Sequence, residues 1–155
     1  MSFESVTAWL AAHAPDLRLI EVEQSTATVD EAAAALGVEP GRIAKTLAIR
    51  VKDEVMLVVA RGDARLDNAK SKAAFGGRPR MLDAAETLAL TGHAVGGVCP
   101  FGLATPLAIV CDRSLAGYDL VYPAAGSLNS SVEVAPDRLA NLVSARWVDV
   151  CRLPD

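Results

Sequence analysis

The 155-residue sequence holds only two histidines, His13 and His93, and three cysteines, Cys99, Cys111 and Cys151, none of them in CxxC spacing. So little histidine leaves scant material for a Ser-His-Asp triad, and no G-x-S-x-G elbow accompanies it. No group of His, Cys and carboxylate residues has the spacing of metal ligands. An odd, unpaired set of cysteines fits free thiols in a reducing cytosol better than a disulfide framework, so a cytoplasmic location is expected. Neither GxGxxG nor GKS/T occurs, which removes the common phosphate-binding fingerprints. The longest strongly apolar stretch, VMLVVA, is far too short to cross a bilayer, and the opening MSFESVTAWL lacks the layout of a secretory signal.

What is present is an ordinary globular composition, 52% hydrophobic and 22% charged, about one domain in length over residues 1–155. The formal net charge of −4 argues against a generally basic nucleic-acid binder. Charge is uneven, however. Between positions 61 and 80 lie six basic residues (Arg61, Arg65, Lys70, Lys72, Arg78 and Arg80) against Asp63 and Asp67. The segment is either a solvated face or a footprint for a phosphate backbone.

Periodicity and punctuation predict a helix over 3–13 with Ser2 as its cap, and an alternating strand over 17–23. Next comes a helix over 28–37, bounded by a Thr28/Glu31 capping box and Gly37. Strands over 43–51 and 54–60 flank Lys52-Asp53 as a hairpin. Asp67 opens a helix that runs to Phe75, a short strand precedes Asp83, and Asp83 with Glu86 opens another helix that stops at Gly92. Strands are expected over 106–112, 118–122, 130–134 and 145–151, with a helix from Pro136 to about 143. Helices interspersed among hairpin-linked strands indicate an α+β fold: a mixed, mainly antiparallel curled sheet flanked by helices.

Two features stand out as chemistry. GHAVGGVCPFG, residues 92–102, places adjacent glycines, a cysteine and a proline inside an otherwise apolar chain. Consecutive glycines let backbone N–H groups approach a carbonyl, carboxylate or oxyanion, because no Cβ intervenes. The bland alternative is a glycine turn, with His93 exposed on it. Lys45 interrupts the run RIAKTLAIRV and shares a strand face with Leu47 and Ile49. It either sits on a wet edge or reaches into a pocket as a point charge for an anionic ligand. Cys99 invites a nucleophile reading, but no histidine is evidently paired with it.

AKTLAIR around Lys45, GGVCPFG with its G-x-x-x-P, and AAGSLNSSVEVAPDRL over 124–139 occur in the order seen in the YbaK family of trans-editing domains associated with prolyl-tRNA synthetase. The chain resembles that family over nearly its whole length. The resemblance implies a free-standing aminoacyl-tRNA deacylase that hydrolyses the ester of a mischarged tRNA, with no metal or organic cofactor. It also implies roles for residues. Lys45 would hold the terminal adenosine and its phosphate, and the backbone of Gly96, Gly97, Val98, Cys99 and Pro100 would hold the aminoacyl carbonyl end. Thr46, Phe101, Gly126, Asn129 and Ser130 would contribute to substrate binding, with Cys99 either lining the pocket or facing away. Arg65, Lys70, Lys72, Arg78 and Arg80 would meet the tRNA backbone. The substrate's own ribose 2′-hydroxyl would help activate water. The partners implied are the acceptor end of an aminoacyl-tRNA and a prolyl-tRNA synthetase, with no membrane and no duplex DNA. A small amino acid (Ala, Cys, Ser or Thr) on proline tRNA is the expected cargo, and these differ by a methyl or a hydroxyl that one sequence does not resolve. The alternative is a non-catalytic module that binds tRNA ends or a synthetase.

Overall fold

The computed structural model describes residues 2–154. Helix boundaries follow local chemistry. Helix α1 (Ser2–His13) buries Val6 and Leu10. Thr28, Asp67 and Asp83 each accept a backbone N–H from the residue three positions on, and so begin α2 (Val29–Leu36), α3 (Asn68–Phe75) and α4 (Ala84–Thr91). Each of these helices ends on a left-handed glycine, Gly37, Gly76 or Gly92, at φ 69°, 76° and 79°. Proline occupies the first turn of α5 (Pro136–Leu142).

Strands β1 (Arg18–Glu21), β2 (Ile43–Val51) and β3 (Glu54–Arg61) come first, β2 and β3 forming the expected antiparallel hairpin. The remaining strands are short: β4 (Arg65–Leu66), β5 (Arg80–Met81), β6 (Ala108–Asp112), β7 (Tyr122–Pro123), β8 (Ser130–Glu133), β9 (Arg146–Val148) and β10 (Cys151–Arg152). The central sheet runs β5-β2-β3-β6-β9, antiparallel through β5, β2 and β3 and parallel through β6 and β9. Two small antiparallel ribbons, β1 with β8 and β4 with β10, flank it. The fold is the expected α+β class with a mixed sheet.

Leu57, Val58, Val59 and Ala60 of β3 are all fully buried, so this strand is covered on both faces. On one side Val6, Leu10, Val59, Phe101, Leu115 and Leu139 form a cluster, and on the other Ile49, Val58, Val110 and Val150 form a second.

Two expectations fail in the same place. The strand expected over 118–122 is instead the irregular exit from a 3₁₀ turn (Arg113–Gly117), paired only at Val121, in an isolated bridge to Val134, and at Tyr122, where β7 begins. The strand expected over 145–151 is split into β9 and β10. Asp112 accounts for both. Its buried carboxylate accepts the Ser114 N–H at 3.0 Å, which starts the turn, and the N–H groups of Val150 and Cys151 at 2.8 and 3.1 Å. Those two donors are thereby drawn off the ladder that β9 makes with β6. Ser2 begins α1 itself, and its hydroxyl is bonded to His93.

Candidate functional site

The site begins as a gap in the sheet. On its free edge β2 pairs with β7 only at Ile43 and Ala44, and with β5 only at Ile49 and Arg50. Among the described residues no strand lies beside the stretch between, and Thr46 is near its middle. The Ala48 carbonyl accepts the Leu82 N–H at 3.0 Å across this edge. Alternation along a strand therefore turns the main chain of Thr46 to the same open side. Residues from both faces of β2 line the opening for the same reason.

A cleft of about 280 Å³ fills this gap. Its walls come from β2, the segment that leads into α2 (Thr26 to Thr28) with Val29 and Ala32 of that helix, Leu82 ahead of α4 and Thr87 within it, and Val95, Gly96 and Val98 of the glycine loop. Tyr122, Ala124 and Ser131 close it. Among the described residues its lining contains no histidine, cysteine, aspartate or glutamate. Its titratable groups are Lys45 and Tyr122. The Tyr122 hydroxyl donates to Glu133 at 3.0 Å, and burial with that bond raises its pKa.

Lys45 is half-buried and donates to the Ala64 carbonyl. Burial holds its pKa below the ordinary lysine value of 10.5, a shift that Arg65 reinforces and that Cys151 and Asp63 oppose. It stands where the cleft meets a second cavity of about 290 Å³, lined also by Asp63, Ala64 and Arg65. A third cavity continues from Asp63 and Arg65 to Arg152. Arg65 and Arg152 face each other in the β4–β10 register. Like charges in direct opposition disfavour a ribbon, and among the described residues neither guanidinium has an ion-pair partner. Asp63 is held by Arg61 through two bonds of 2.6 and 2.9 Å.

The glycine loop is only partly at the cleft. Gly96, at φ 98°, lines it, and a Cβ there would come within 2.8 Å of Leu128 and 3.1 Å of the Ala27 Cβ. Gly97 is turned elsewhere. Its N–H donates to the Ala94 carbonyl at 2.9 Å, and a methyl group on its Cα would lie 3.0–3.1 Å from the backbone of Gly126 and Ser127. Its missing side chain serves loop packing, and its N–H is already taken. Pro100 lines a groove on another face, with Trp9 and Leu142. Phe101 is fully buried, its ring 5.5 Å from that of Trp9.

Cys99 faces away from the cleft. It is fully buried, its Sγ 3.6 Å from His93 Nε2 and 3.7 Å from the Phe101 carbonyl. A Cys-His contact thus exists, contrary to the sequence reading, but it is not a catalytic pair. His93 Nε2–H donates to the Phe101 carbonyl at 2.7 Å, which leaves Nδ1 to accept from Ser2. Burial pushes the Cys99 thiol up to about 12. His93, expected on an exposed loop, is fully buried, and burial lowers its pKa. His13 is the exposed histidine, stacked on Trp9 at 4.2 Å.

The 126–130 segment also differs from expectation. Asn129 donates to the Val22 carbonyl at 2.9 Å and accepts from Ser127, so it ties two loops together. Ser130 is bonded to Ser127, and Gly126, at φ 87°, lies against the Ser2 backbone. Ser131, one position further on, is the serine in the cleft. Of the basic residues, Arg65 adjoins the Lys45 cavity, and Lys70 bonds Asp149 and the Cys151 carbonyl at 3.1 and 2.9 Å. Lys72, Arg78 and Arg80 are exposed. Among the described residues no three His, Cys, Asp or Glu side chains gather as a metal site requires, and no helix is long and apolar enough to cross a membrane.

A fold whose sheet opens beside a lysine-ended cleft free of carboxylates finds its counterparts in translation. Residues 23–142 match the family model for the aminoacyl-tRNA editing domain, and the chain belongs to that family. It is similar to the uncharacterised protein YwhH of Bacillus subtilis, 44% identical over 98% of both chains. It is 27% identical to EbsC of Enterococcus faecalis, named as a candidate Cys-tRNA(Pro)/Cys-tRNA(Cys) deacylase, over 79% of this chain and 76% of that one. A crystal structure described as a candidate trans-editing enzyme for prolyl tRNA synthetase superposes with a TM-score of 0.89 at 34% identity, covering 97% of each chain.

Proposed function

We propose that the protein is a free-standing deacylase that hydrolyses the ester of a mischarged tRNA, acting on a small amino acid carried by proline tRNA. The observation that carries this reading is the cleft: apolar, ended by a half-buried lysine, and, among the described residues, lined by no histidine, cysteine, aspartate or glutamate to serve as base. An aminoacyl ester is already reactive, so orientation and a few directed donors suffice for its hydrolysis. Lys45 anchors the terminal adenosine and its phosphate, and the 3′ strand leaves along the cavities beside Arg65 and Arg152. Gly96, Val98 and the open backbone edge at Thr46 surround the ester carbonyl. The substrate's 2′-hydroxyl takes the part of the missing base.

The test is release of amino acid from a panel of charged tRNAs, including proline tRNA carrying Ala, Cys, Ser, Thr or Pro. The expected result is hydrolysis of at least one mischarged species well above the spontaneous rate, with Pro-tRNA spared. Tight binding without release of any amino acid would instead make the chain a binding module.

A further inference from the structure

Three strand pairings in this fold set one charged side chain directly opposite another. Arg18 faces Glu133 across the β1–β8 ribbon, and the two form an ion pair at 3.6 Å. Arg50 faces Arg80 between β2 and β5, and Glu86 answers Arg50 at 2.8 Å. Arg65 faces Arg152 across the two-residue ribbon of β4 and β10. There, among the described residues, neither guanidinium makes an ion pair or a hydrogen bond. Directly opposed like charges weaken a ribbon, and one this short has little ladder to absorb the cost. Asp63, the carboxylate that shares their cavity, is committed elsewhere: Arg61 binds both of its oxygens, at 2.6 and 2.9 Å. Such an arrangement calls for an anion from outside the chain.

The pair lies on a path that begins at the cleft. Lys45 lines the cleft and donates to the carbonyl of Ala64, the residue before Arg65. Lys45 and Arg65 share the second cavity, and Arg65 and Arg152 share the third, of about 160 Å³. Arg152 then borders a fourth, of about 520 Å³, together with Arg61, Lys70 and Arg113. The acids of that last cavity are engaged. Asp149 pairs with Lys70 at 3.1 Å and Arg113 at 3.6 Å, and buried Asp112 holds three backbone N–H groups. Lys72, Arg78 and Arg80, the other cations of the basic segment, line none of these four cavities.

We propose that Arg65 and Arg152 form a phosphate clamp, which binds the RNA phosphodiester one nucleotide upstream of the terminal adenosine's own phosphate. This rests on the deacylase reading and extends it along the substrate: the unpaired 3′ strand runs from Lys45 across the β4–β10 ribbon. A phosphate between the two guanidinium groups relieves their repulsion, and each group offers paired N–H donors that match phosphate oxygens. Lys45, Arg65 and Arg152 follow one another from cavity to cavity, and a line of cations suits a strand that carries one negative charge per nucleotide.

The experiment uses the full chain and two probes, each bearing an alanyl group through a non-hydrolysable 3′-amide. One is adenosine 5′-methyl phosphate. The other is the RNA trinucleotide CCA, which adds one phosphodiester upstream of that phosphate. Titration calorimetry is expected to show the trinucleotide binding about tenfold more tightly than the mononucleotide, the worth of one charge-assisted contact. In Arg65→Gln and in Arg152→Gln that advantage should fall to about twofold, and the slope of log affinity against log salt should shrink by about 0.7. Both variants should bind the mononucleotide as the wild type does. Arg146→Gln, at an exposed arginine on the far edge of the sheet, should bind both probes as the wild type does. Neither ribbon variant should melt at a lower temperature, because a like-charge opposition has been removed. An undiminished trinucleotide advantage in both variants, an equal loss for the mononucleotide, or a marked fall in melting temperature would each overturn the proposal. Loss of the advantage in the variants, without hydrolysis of any charged tRNA by the wild type, would uphold the clamp and refute the deacylase reading instead.

Discussion

Replacing Lys45 by methionine keeps most of the stem's volume and removes the charge. In the folded chain the ammonium is half-buried and donates to the Ala64 carbonyl, so its loss frees one acceptor while lifting the burial cost that depresses its pKa. The hydrogen bond to a charged donor is worth about 1.5–3 kcal/mol, and the relieved desolvation opposes it, so the net change in stability should stay within about 1 kcal/mol. Activity has no such offset. A charge-assisted contact to a phosphate is again worth about 1.5–3 kcal/mol, which at about 1.4 kcal/mol per decade predicts a 10- to 150-fold fall in kcat/KM. Single-turnover deacylation and a thermal melt of the same preparation decide the matter. The charged form should also carry the activity, so the wild-type profile should fall on the alkaline side at a pH below 10.5, the ordinary lysine value. Activity within twofold of wild type, together with a melting temperature lowered by many degrees, would make Lys45 a structural residue and refute the assignment.

Gly96→Ala and Gly97→Ala should both lower stability, by about 1–3 kcal/mol, the first through its φ of 98° and the contact with Ala27, the second by pressing on the backbone of Gly126 and Ser127. Rates should fall with them; a melt unchanged for both would contradict the packing described. Cys99→Ala should keep deacylation within about tenfold, since a thiol raised to about 12 and turned from the cleft is no nucleophile, and trapping of an acyl-thioester on the wild type would disprove this. His93 has a folded pKa below its ordinary 6.5, so its neutral form favours folding above that value, and stability should drop as pH falls through 6.5 and below. Melts across pH 4–8 should show that slope reduced in His93→Gln.

Much of the scaffold was legible because its signals are local. Thr28, Asp67 and Asp83 each sit three residues before the donor they accept, and Gly37, Gly76 and Gly92 mark stops that need only a positive φ. The hairpin at Lys52-Asp53 is likewise a matter of spacing. The misplaced strands after Asp112 depend on a carboxylate that bonds a segment 38 residues away, which no window of sequence contains. Of the residues that pattern and resemblance pointed to, Lys45 and Gly96 line the cleft, whereas Ser131 lies there and its expected neighbour Ser130 does not. In a strand that single step exchanges faces, sending Ser130 to Ser127 and Ser131 to the cleft. The direction of Cys99 was equally illegible, because the burial that decides it comes from α1, outside the loop, and from a His93 turned inward rather than exposed.

The central claim is that this cleft hydrolyses an ester without a side-chain base, and the substrate itself can test it. A mischarged tRNA whose terminal adenosine lacks the 2′-hydroxyl should bind the wild-type chain nearly as well as the natural species. It should be deacylated at least about 100-fold more slowly, the lower end of what a general base contributes. Hydrolysis at an undiminished rate would show that a group of the protein activates the water, and would contradict the account.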